Sequence, residues 1–379
     1  MDSMIFNNVY AGKKVLVTGH TGFKGTWLSI WLKALGAEVI GYALPPDTNP
    51  SVFKVTELAG KITHLEADIR DPKEIAKVVE AYRPEIVFHL AAQPLVRRSY
   101  ELPHLTYETN IMGTVNLLEA VRTHRSVKAC TVITSDKCYD NREWEYAYRE
   151  NDPLGGFDPY SSSKAGAELV VASYQKSFFS PENNAHHKTI LASARAGNVT
   201  GGGDWAADRI VPDVVKSLAA KQIIRVRNPQ AIRPWQHVLE PLAGYLWLTA
   251  LMLEKGAGLG SAWNFGPQPS DCLTVSQLVE KIIALWGSGE WQDISENDKH
   301  KVHEANYLKL DCTKAQSILG WSPVYRMEDA LEATVEWYRQ YYCNSGIDIY
   351  DLILSQIDAY VLRAHTMSLK WAGKANNES

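Results

Sequence analysis

One stretch near the start of the chain constrains the fold more than any other. Residues 15–18 are apolar or β-branched, and Gly19, Gly22 and Gly25 follow them at a spacing of G-x-x-G-x-x-G. After the glycines, apolar residues recur at helical spacing as far as Gly36; they are Trp27, Leu28, Ile30, Trp31, Leu32 and Leu35. A buried strand, a glycine-rich turn and a helix in this order predict the opening unit of a dinucleotide-binding α/β fold.

The turn is suited to binding phosphate. Glycines let it close tightly, and they let backbone N–H groups at the helix N-terminus reach a pyrophosphate. His20 and Lys24 add potential positive charge inside the turn, and we expect both to contact phosphate. The turn departs from the general G-x-G-x-x-G fingerprint, so its assignment rests on the strand and helix around it.

The second strand, predicted at 38–44, leaves the choice between NAD and NADP open. A carboxylate that binds the ribose is expected about 20 residues after the glycines. The sequence there is Gly41-Tyr42-Ala43-Leu44-Pro45-Pro46, and Asp47 follows only after the two prolines. The usual anchor for NAD is therefore missing or displaced.

Strands continue to alternate with helices along the first half of the chain. Strands are predicted at 62–66, 85–89, 129–134 and 189–195, and long helices at 104–124 and from Tyr160 to about Phe179. This alternation, without an internal repeat, predicts a Rossmann-type doubly wound parallel sheet with a smaller α/β C-terminal substrate-binding domain. Ligands of such sheets bind beyond the carboxyl ends of the strands.

The same pattern divides the chain. Residues 1–195 are expected to form the cofactor domain, with 235–262 returning to it. Residues 196–234 and 263–345 are expected to form the substrate domain. Residues 346–379 are predicted to be a helix followed by a tail that is disordered beyond Arg363.

Residues 134–164 carry the candidate chemistry. Thr134, Ser135, Asp136 and Lys137 end the strand predicted at 129–134. Tyr160 and Lys164 follow at i and i+4, on one face of a helix. A cation beside a phenol favours the phenolate, so Lys164 is predicted to lower the pKa of Tyr160. A Tyr and a Lys on an ordinary solvated helix are the alternative, but the strand-end position favours a site.

Composition excludes several classes of partner. The formal net charge is −4 and the sequence pI is about 6.3, so neither indicates binding to nucleic acid. The five cysteines are scattered without metal-ligand spacing, which predicts no metal site and a reducing, cytoplasmic location. No signal peptide is recognised at the N-terminus, and the apolar run 246–253 is too short to span a bilayer, so no membrane contact is expected.

Taken together, the motifs resemble the extended short-chain dehydrogenases/reductases over roughly residues 12–342. The positions that carry the resemblance are Gly19, Gly22, Gly25, Asp68, Leu90, Ala91, Ala92, Asn110, Thr134, Ser135, Tyr160, Lys164, Arg195 and Asn198. The resemblance implies NAD as the cofactor. The residues it implies for the cofactor are Gly19, His20, Gly22, Phe23, Lys24, Gly25, Asp68, Ile69, Leu90, Ala91, Ala92, Asn110, Tyr160 and Lys164.

Within that family the chain is similar to the sugar-nucleotide 4,6-dehydratases, because Asp136 directly follows the Ser/Thr pair. The segments 200–205 and 233–238 also carry this resemblance. It implies a nucleotide-sugar substrate and a homodimer or homotetramer built on a four-helix bundle of the segments 104–124 and 158–179. The substrate-binding residues it implies are Gln93, Asn198, Arg209, Arg233 and His237.

The implied reaction removes water across C5 and C6 of a hexose. Oxidation at C4 makes the C5 proton acidic; Tyr160 would take the C4 hydroxyl proton, and Lys164 would hold the nicotinamide ribose. Thr134 or Ser135 would bind the C4 oxygen, and Asp136 would protonate the departing C6 hydroxyl. Lys137 stands where better-known relatives have Glu, and two roles stay open for it: the C5 base, or a group that only orients the substrate.

Two other functions remain open at this stage. One is dehydration of a UDP-linked amino sugar, where Asp-Lys pairs also occur. The other is a catalytically inactive regulator that only binds a cofactor, a possibility because one fold hosts many functions.

Overall fold

A computed structural model describes residues 5–180, 182, 187–268, 271–295 and 308–373. The strands in these ranges are β1 (Lys14–Thr18), β2 (Glu38–Ala43), β3 (Thr63–Glu66), β4 (Ile86–His89), β5 (Ala129–Ile133), β6 (Ile190–Ala196), β7 (Asn198–Thr200), β8 (Ile224–Val226), β9 (Ile232–His237), β10 (Ala262–Phe265), β11 (Cys272–Thr274) and β12 (Trp291–Asp293). The α-helices are α1 (Phe23–Ala34), α2 (Val52–Val55), α3 (Pro72–Tyr82), α4 (Val96–Glu101), α5 (Pro103–Tyr107), α6 (Gly113–His124), α7 (Pro159–Ser177), α8 (Ile210–Ala219), α9 (Leu239–Lys255), α10 (Val275–Trp286), α11 (Met327–Cys343) and α12 (Ile349–Thr366).

The central sheet is parallel and has the spatial order β10-β6-β5-β4-β1-β2-β3. Its inner strands are almost uninterrupted apolar runs; every residue of β4, β5 and β6 is buried. Helices on both faces explain this composition, because a parallel sheet covered on both sides has no polar face. The strand order reverses between β1 and β4, which creates the crevice where such sheets bind ligands. The predicted doubly wound fold is confirmed.

The substrate-side elements are two small sheets, β11-β9-β7 and β12-β8, and helices α8, α10 and α11. The chain returns to the first domain through α9, which packs against β5 and β6, and then through β10, which pairs with β6. The expected end of this return at residue 262 is therefore too early, because Ala262–Phe265 is the edge strand of the central sheet.

The predicted long helix over 104–124 is interrupted. A π-helical turn, Glu108–Met112, separates α5 from α6. Such turns often occur at functional sites because they redirect a side chain. Here the turn carries Asn110, which is buried between the loop after β4 and α7.

The prediction of a disordered tail beyond Arg363 is wrong as far as residue 373. Helix α12 continues to Thr366, and Trp371 is fully buried. The Trp371 ring stacks on Phe6, with centroids 5.1 Å apart, and on Tyr360, at 5.7 Å. The sequence signal for this packing was the tryptophan itself, whose burial removes a large apolar area from water. Residues 374–379 lie outside the described part of the chain.

In the described ranges, no helix is both long and apolar enough to cross a bilayer.

Candidate active site

The glycine-rich turn between β1 and α1 forms a cradle at the switch point. Gly19 has φ +77°, and a Cβ atom there would lie 2.6 Å from the backbone nitrogen of Ala91. A Cβ atom on Gly25 would lie 2.1 Å from the Gly19 carbonyl oxygen, so only glycine permits this closure. Gly22 precedes α1 with extended backbone and no side-chain cap, which leaves the N–H groups of the first turn facing the cleft. The cradle fits the pyrophosphate of a dinucleotide.

Small residues at the end of β4 complete this cradle. Leu90, Ala91 and Ala92 line the cleft, and the Ala91 N–H donates to the Thr18 hydroxyl at 3.3 Å. A larger side chain at Ala91 would crowd the cleft where Gly19 approaches the strand end. Phe23 lines the other side of the turn.

The far end of the cleft is marked by Asp68 and Ile69, which follow β3. Burial favours the neutral acid at Asp68, but hydrogen bonds from Arg70, including Nε to Oδ2 at 2.9 Å, outweigh it and hold the pKa of Asp68 below its usual value. The displaced carboxylate of Asp47 lies 3.8 Å from Arg98 across the cleft. The far end of the cleft therefore carries the ionised carboxylate of Asp68, whereas the carboxylate of Asp47 lies beside α4.

The expected phosphate contact of His20 is wrong. His20 is fully buried, and its Nε2 lies 2.7 Å from Nδ1 of His64. Burial, and next the charge of His64, lower the pKa of His20 to about 3, so the ring is neutral at pH 7. Gly41 in β2 makes the space, because a Cβ atom there would meet the His20 ring at 2.4 Å. The ring therefore lies behind the turn.

Lys24 does face the cleft. Burial lowers its pKa to about 8, and the charges of Arg209 and Lys164 act in the same direction. Its ammonium lies 6.0 Å from the centre of the Tyr245 ring. Its electrostatic neighbours also include Asp136 and Asp204, so Lys24 belongs to the catalytic end of the cleft.

Tyr160 and Lys164 lie on the first turns of α7, which Asp158 caps and Pro159 begins. Burial raises the pKa of Tyr160 to about 12; a hydrogen bond with Ser135 and the charge of Arg209 oppose it, while Asp136 adds to it. Burial lowers the pKa of Lys164 to about 8. The prediction that Lys164 makes Tyr160 more acidic is wrong for this structure: burial dominates, and the cation that opposes it is Arg209.

A turn of 3₁₀ helix, Asp136–Cys138, brings the next groups to Tyr160. The Ser135 hydroxyl accepts from the Lys137 N–H at 3.2 Å and lies 2.9 Å from Asp136 Oδ1. The ammonium of Lys137 lies 4.0 Å from the same carboxylate oxygen. The Asp136 side chain is 4% exposed and that of Lys137 31%, so the carboxylate lies in the wall and the amine reaches into the cleft.

Thr134 has a different environment from Ser135. Its hydroxyl donates to Glu168 on α7. Glu168 also accepts from Ser193 at 2.8 Å and from Arg195 at 2.7 Å. Of the two hydroxyls offered for the C4 oxygen, Ser135 is the one beside Tyr160.

Sequence reasoning missed the Glu168–Arg195 ion pair. Both side chains are 3% exposed. Arg195 further donates to the Tyr139 hydroxyl at 2.7 Å and to the Glu150 carbonyl at 3.0 Å. These bonds satisfy most of the polar atoms of the pair, as a buried ion pair requires, although Arg195 Nε is buried without a hydrogen-bond partner among the described residues. The available signal was the position of Glu168, one helical turn after Lys164.

Of the five predicted substrate residues, Asn198, Arg209 and Arg233 line the substrate side of the cleft. Gln93 also lines it, but its amide is used within the protein, donating to Leu95 and Thr106 and accepting from the Leu95 N–H. Asn110 fixes the same loop through the Gln93 backbone. Gln93 therefore shapes the wall.

The prediction that His237 binds substrate is wrong. The residue is fully buried, and its ring packs edge-on against Trp27 with centroids 5.9 Å apart. Burial lowers its pKa to about 3. His237 is the last residue of β9, and its buried ring belongs to the core and does not line the cleft.

The glycine-rich cradle and the group formed by Tyr160, Ser135, Asp136 and Lys137 line one cleft of about 2410 Å³. One end is built for a dinucleotide, and the other is lined by Arg209, Arg233 and Asn198. Between them, Tyr160, Ser135, Asp136 and Lys137 offer groups that can exchange protons with a bound sugar. This is the arrangement of an extended short-chain dehydrogenase/reductase.

Comparison with known proteins agrees with this arrangement. A family profile described as GDP-mannose 4,6 dehydratase matches residues 16–334. CDP-glucose 4,6-dehydratase of Salmonella typhimurium is 51% identical over 89% of this chain and 93% of that protein. dTDP-glucose 4,6-dehydratase of Haemophilus influenzae is 27% identical over 86% and 97%, respectively.

Solved structures share the fold. UDP-glucose 4-epimerase of Thermotoga maritima, solved with UDP-glucose, has a TM-score of 0.73 at 24% identity over 86% of this chain and 99% of that one. DesIV, the dTDP-glucose 4,6-dehydratase of Streptomyces venezuelae solved with NAD and TYD, has a TM-score of 0.72 at 23% identity over 86% and 97%. The chain belongs to the GDP-mannose 4,6 dehydratase family, which confirms the predicted resemblance to the sugar-nucleotide 4,6-dehydratases.

Proposed function

We propose that this protein is an NAD-dependent hydro-lyase that converts CDP-glucose to CDP-4-keto-6-deoxyglucose and water. The observation that carries the proposal is the Ser135-Asp136-Lys137 turn against Tyr160 at the end of a dinucleotide cradle. Identity of 51% to the Salmonella CDP-glucose enzyme, over most of both chains, supports the nucleotide and the sugar.

NAD fits the cradle described above. Gly19, Gly22 and Gly25 would take its pyrophosphate, Asp68 and Ile69 its adenosine end, and Lys164 its nicotinamide ribose. When bound, NAD accepts hydride from C4 and later returns it at C6. The protein supplies the proton transfers and the geometry.

Tyr160 would take the C4 hydroxyl proton as the C–H bond at C4 breaks, and Ser135 would hold the C4 oxygen. The pKa of about 12 keeps the phenol protonated at pH 7 in the ligand-free protein. The groups that bind beside Tyr160 must therefore stabilise its anion before it can act as a base.

The ketone at C4 makes the C5 proton acidic. We assign Lys137 as the group that removes it and Asp136 as the acid that protonates the departing C6 hydroxyl. The 4.0 Å separation between these two side chains would let them serve adjacent carbons of one sugar. The alternative, in which Lys137 only orients the sugar, predicts unimpaired C5 exchange after its removal.

Arg233 is assigned to the substrate diphosphate, because a guanidinium can bind phosphate oxygens in pairs. Asn198, on the neighbouring strand β7, lines the same region. Gln93 and His237 have no assigned contact with substrate.

We also propose a homodimer, or a tetramer built from it, through a bundle of α5, α6 and α7. The segments that would form this bundle expose large apolar side chains: Tyr107, Met112, Leu169 and Phe178. Met112 is 50% and Leu169 61% exposed. Light scattering of the purified protein tests the assembly, and a monomer at micromolar concentration would contradict it.

A cytoplasmic location and a role in dideoxyhexose supply for lipopolysaccharide O antigen complete the proposal. Cys130, Cys138, Cys312 and Cys343, in the described part of the chain, are free thiols, which suits a reducing compartment. The product, a 4-keto-6-deoxy sugar, is the chemical form that further deoxygenation at C3 requires.

The test is incubation of the protein and NAD with CDP-, dTDP-, UDP- and GDP-linked hexoses, followed by mass spectrometry. Loss of one water from CDP-glucose, at a rate well above the others, is expected. Preference for a UDP-linked amino sugar would replace the assigned substrate. No product with any of them, while NAD still binds, would favour an inactive cofactor-binding regulator.

A further inference from the structure

Arg209 and Asp204, on the substrate side of the cleft, form an ion pair that the proposed proton transfers do not yet use. The Nη1 atom of Arg209 lies 2.9 Å from Oδ2 of Asp204. Arg209 precedes α8 and lines the cleft, and its charge acts on both Tyr160 and Lys24. Asp204 is 6% exposed at its side chain, so the carboxylate lies in the wall behind the arginine.

The backbone that carries Asp204 is held firmly. Gly203 has φ +84°, and a Cβ atom on Gly202 would lie 2.0 Å from the Trp337 ring. The Trp27 indole donates to the Gly202 carbonyl at 2.9 Å, and that tryptophan belongs to α1 of the cofactor domain. The turn is thus wedged between elements of both domains.

The Asp204 side chain and carbonyl are fixed as well. Its Oδ1 accepts from the Ala206 N–H at 3.1 Å, while Oδ2 faces Arg209. The Tyr338 hydroxyl donates to the Asp204 carbonyl. Every oxygen of Asp204 therefore has a hydrogen-bond partner, and these bonds fix the position of Oδ2 in the wall of the cleft.

Without the carboxylate of Asp204, the long side chain of Arg209 would not be held in one position. A free arginine side chain adopts many rotamers, and holding it in one of them costs conformational entropy. A buried carboxylate that binds one edge of the guanidinium supplies this order before the substrate arrives. The remaining edge is left to face the cleft.

We propose that Asp204 is a positioning residue that aims Arg209 at Tyr160, so that the guanidinium charge stabilises the Tyr160 phenolate when it takes the C4 proton. The proposal rests on the proposed function. The charged groups around Tyr160 include Arg209, Asp136 and Asp158, together with Lys164 on the same face of α7, and those around Arg209 include Asp204, Asp47 and Lys24. The carboxylates of Asp136 and Asp158 oppose the ionisation of Tyr160, and the guanidinium of Arg209 counteracts them.

Asp204→Asn separates this role from a simple charge effect. Removing a negative charge from the site would by itself favour the phenolate and move the ascending limb of the pH profile to lower pH. Loss of aim would move the limb to higher pH, because Arg209 would no longer be held at Tyr160. The two accounts predict opposite signs.

The experiment follows C4 oxidation at 340 nm under single turnover between pH 6 and pH 10, with wild type, Asp204→Asn, Arg209→Gln and Arg209→Lys. We expect Arg209→Gln to move the limb up by about one pH unit, which is about a tenfold loss on that limb. Asp204→Asn should move it in the same direction, and Arg209→Lys should recover part of the loss. The rate at pH 7 should fall, while the substrate concentration that gives half of the maximal rate should change less than about threefold.

Asp329→Asn is the matched control. Asp329 also binds an arginine, Arg363, and caps a backbone N–H, that of Arg326, but lies outside the cleft lining. Its profile should match wild type. An Asp204→Asn limb that stays in place or moves to lower pH would overturn the proposal. Failure of the wild type to dehydrate CDP-glucose would instead refute the proposed function, and the profiles would then be measured on the nucleotide sugar that it does dehydrate.

Discussion

Glu168→Gln should destabilise the protein strongly, although it changes a single charge. Glu168 accepts from Arg195, Thr134 and Ser193, and both members of the ion pair are 3% exposed. Removing one partner of a buried pair costs about 3–5 kcal/mol, because the other charge stays buried. Arg195 keeps its bonds to Tyr139 and the Glu150 carbonyl, so we expect the lower end, about 3 kcal/mol.

That free energy converts to a measurable shift in the melting temperature. A chain of 379 residues has an unfolding entropy of about 0.8 kcal/mol/K, so 3 kcal/mol corresponds to about 4 °C. Differential scanning calorimetry of the variant and wild type at pH 7 measures it. C4 oxidation should also slow, because Thr134 and α7 lose their shared anchor.

Glu119→Gln is the control for this prediction. Glu119 also pairs with an arginine, Arg122, and accepts from a hydroxyl, that of Tyr174, but its side chain is 41% exposed. Exposed pairs contribute about 0.2–1 kcal/mol, so the melting temperature should change by about 1 °C or less. Equal shifts for the two variants would refute the reasoning that burial makes the Glu168 pair expensive to break.

Four further predictions follow from the same structure. Asp136→Asn should retain C4 oxidation, seen as accumulating absorbance at 340 nm, while losing water elimination; normal dehydration would show that another group is the acid. Lys137→Met should abolish exchange of the C5 proton with solvent deuterium, and unimpaired exchange would leave Lys137 only an orienting role. Trp371→Ala should lower the melting temperature by about 4–6 °C through loss of about 3–5 kcal/mol of buried aromatic packing. An unchanged melting temperature would show that the tail does not contribute to stability. His237→Phe should make the free energy of unfolding fall less steeply as the pH is lowered. The folded-state pKa of His237, about 3, lies below the unfolded value, so between pH 6 and pH 4 the unfolded chain binds one more proton than the folded chain, which costs about 1.4 kcal/mol of stability per pH unit. An unchanged dependence on pH in urea titrations would contradict this.

The sequence predicted the doubly wound fold well because its signals are local and repeated. Apolar runs such as 129–134 and glycine spacing such as Gly19–Gly25 each report one element, and alternation reports the sheet. Asp136 was identifiable because it directly follows the Thr134-Ser135 pair near a strand end, a position that the resemblance to sugar-nucleotide 4,6-dehydratases marks.

The errors have physical causes that spacing does not reveal. His20 lies inside the phosphate turn by position, but Gly41, on the neighbouring strand, opens a buried space behind it. The i, i+4 rule placed Lys164 beside Tyr160 correctly on one helix face, yet burial decides the pKa of both groups. Arg209 opposes the rise in the pKa of Tyr160 that burial causes, and it lies 49 positions later in the chain.

Long-range partners were also invisible in the sequence. Glu168 and Arg195 meet because α7 packs against β6. Trp371 is buried against Tyr360 and against Phe6 and Trp31, which come from the other end of the chain. These contacts depend on topology, which a single sequence does not specify residue by residue.

The central claim is that C4 is oxidised transiently and that the same hydrogen returns at C6. CDP-glucose labelled with deuterium at C4, incubated with the protein and NAD in ordinary water, tests it directly by NMR of the product. We predict that the deuterium is found at C6 of the 4-keto-6-deoxy sugar. Loss of the deuterium to solvent, or a dehydrated product that keeps it at C4 and is therefore not a 4-ketone, would contradict the account.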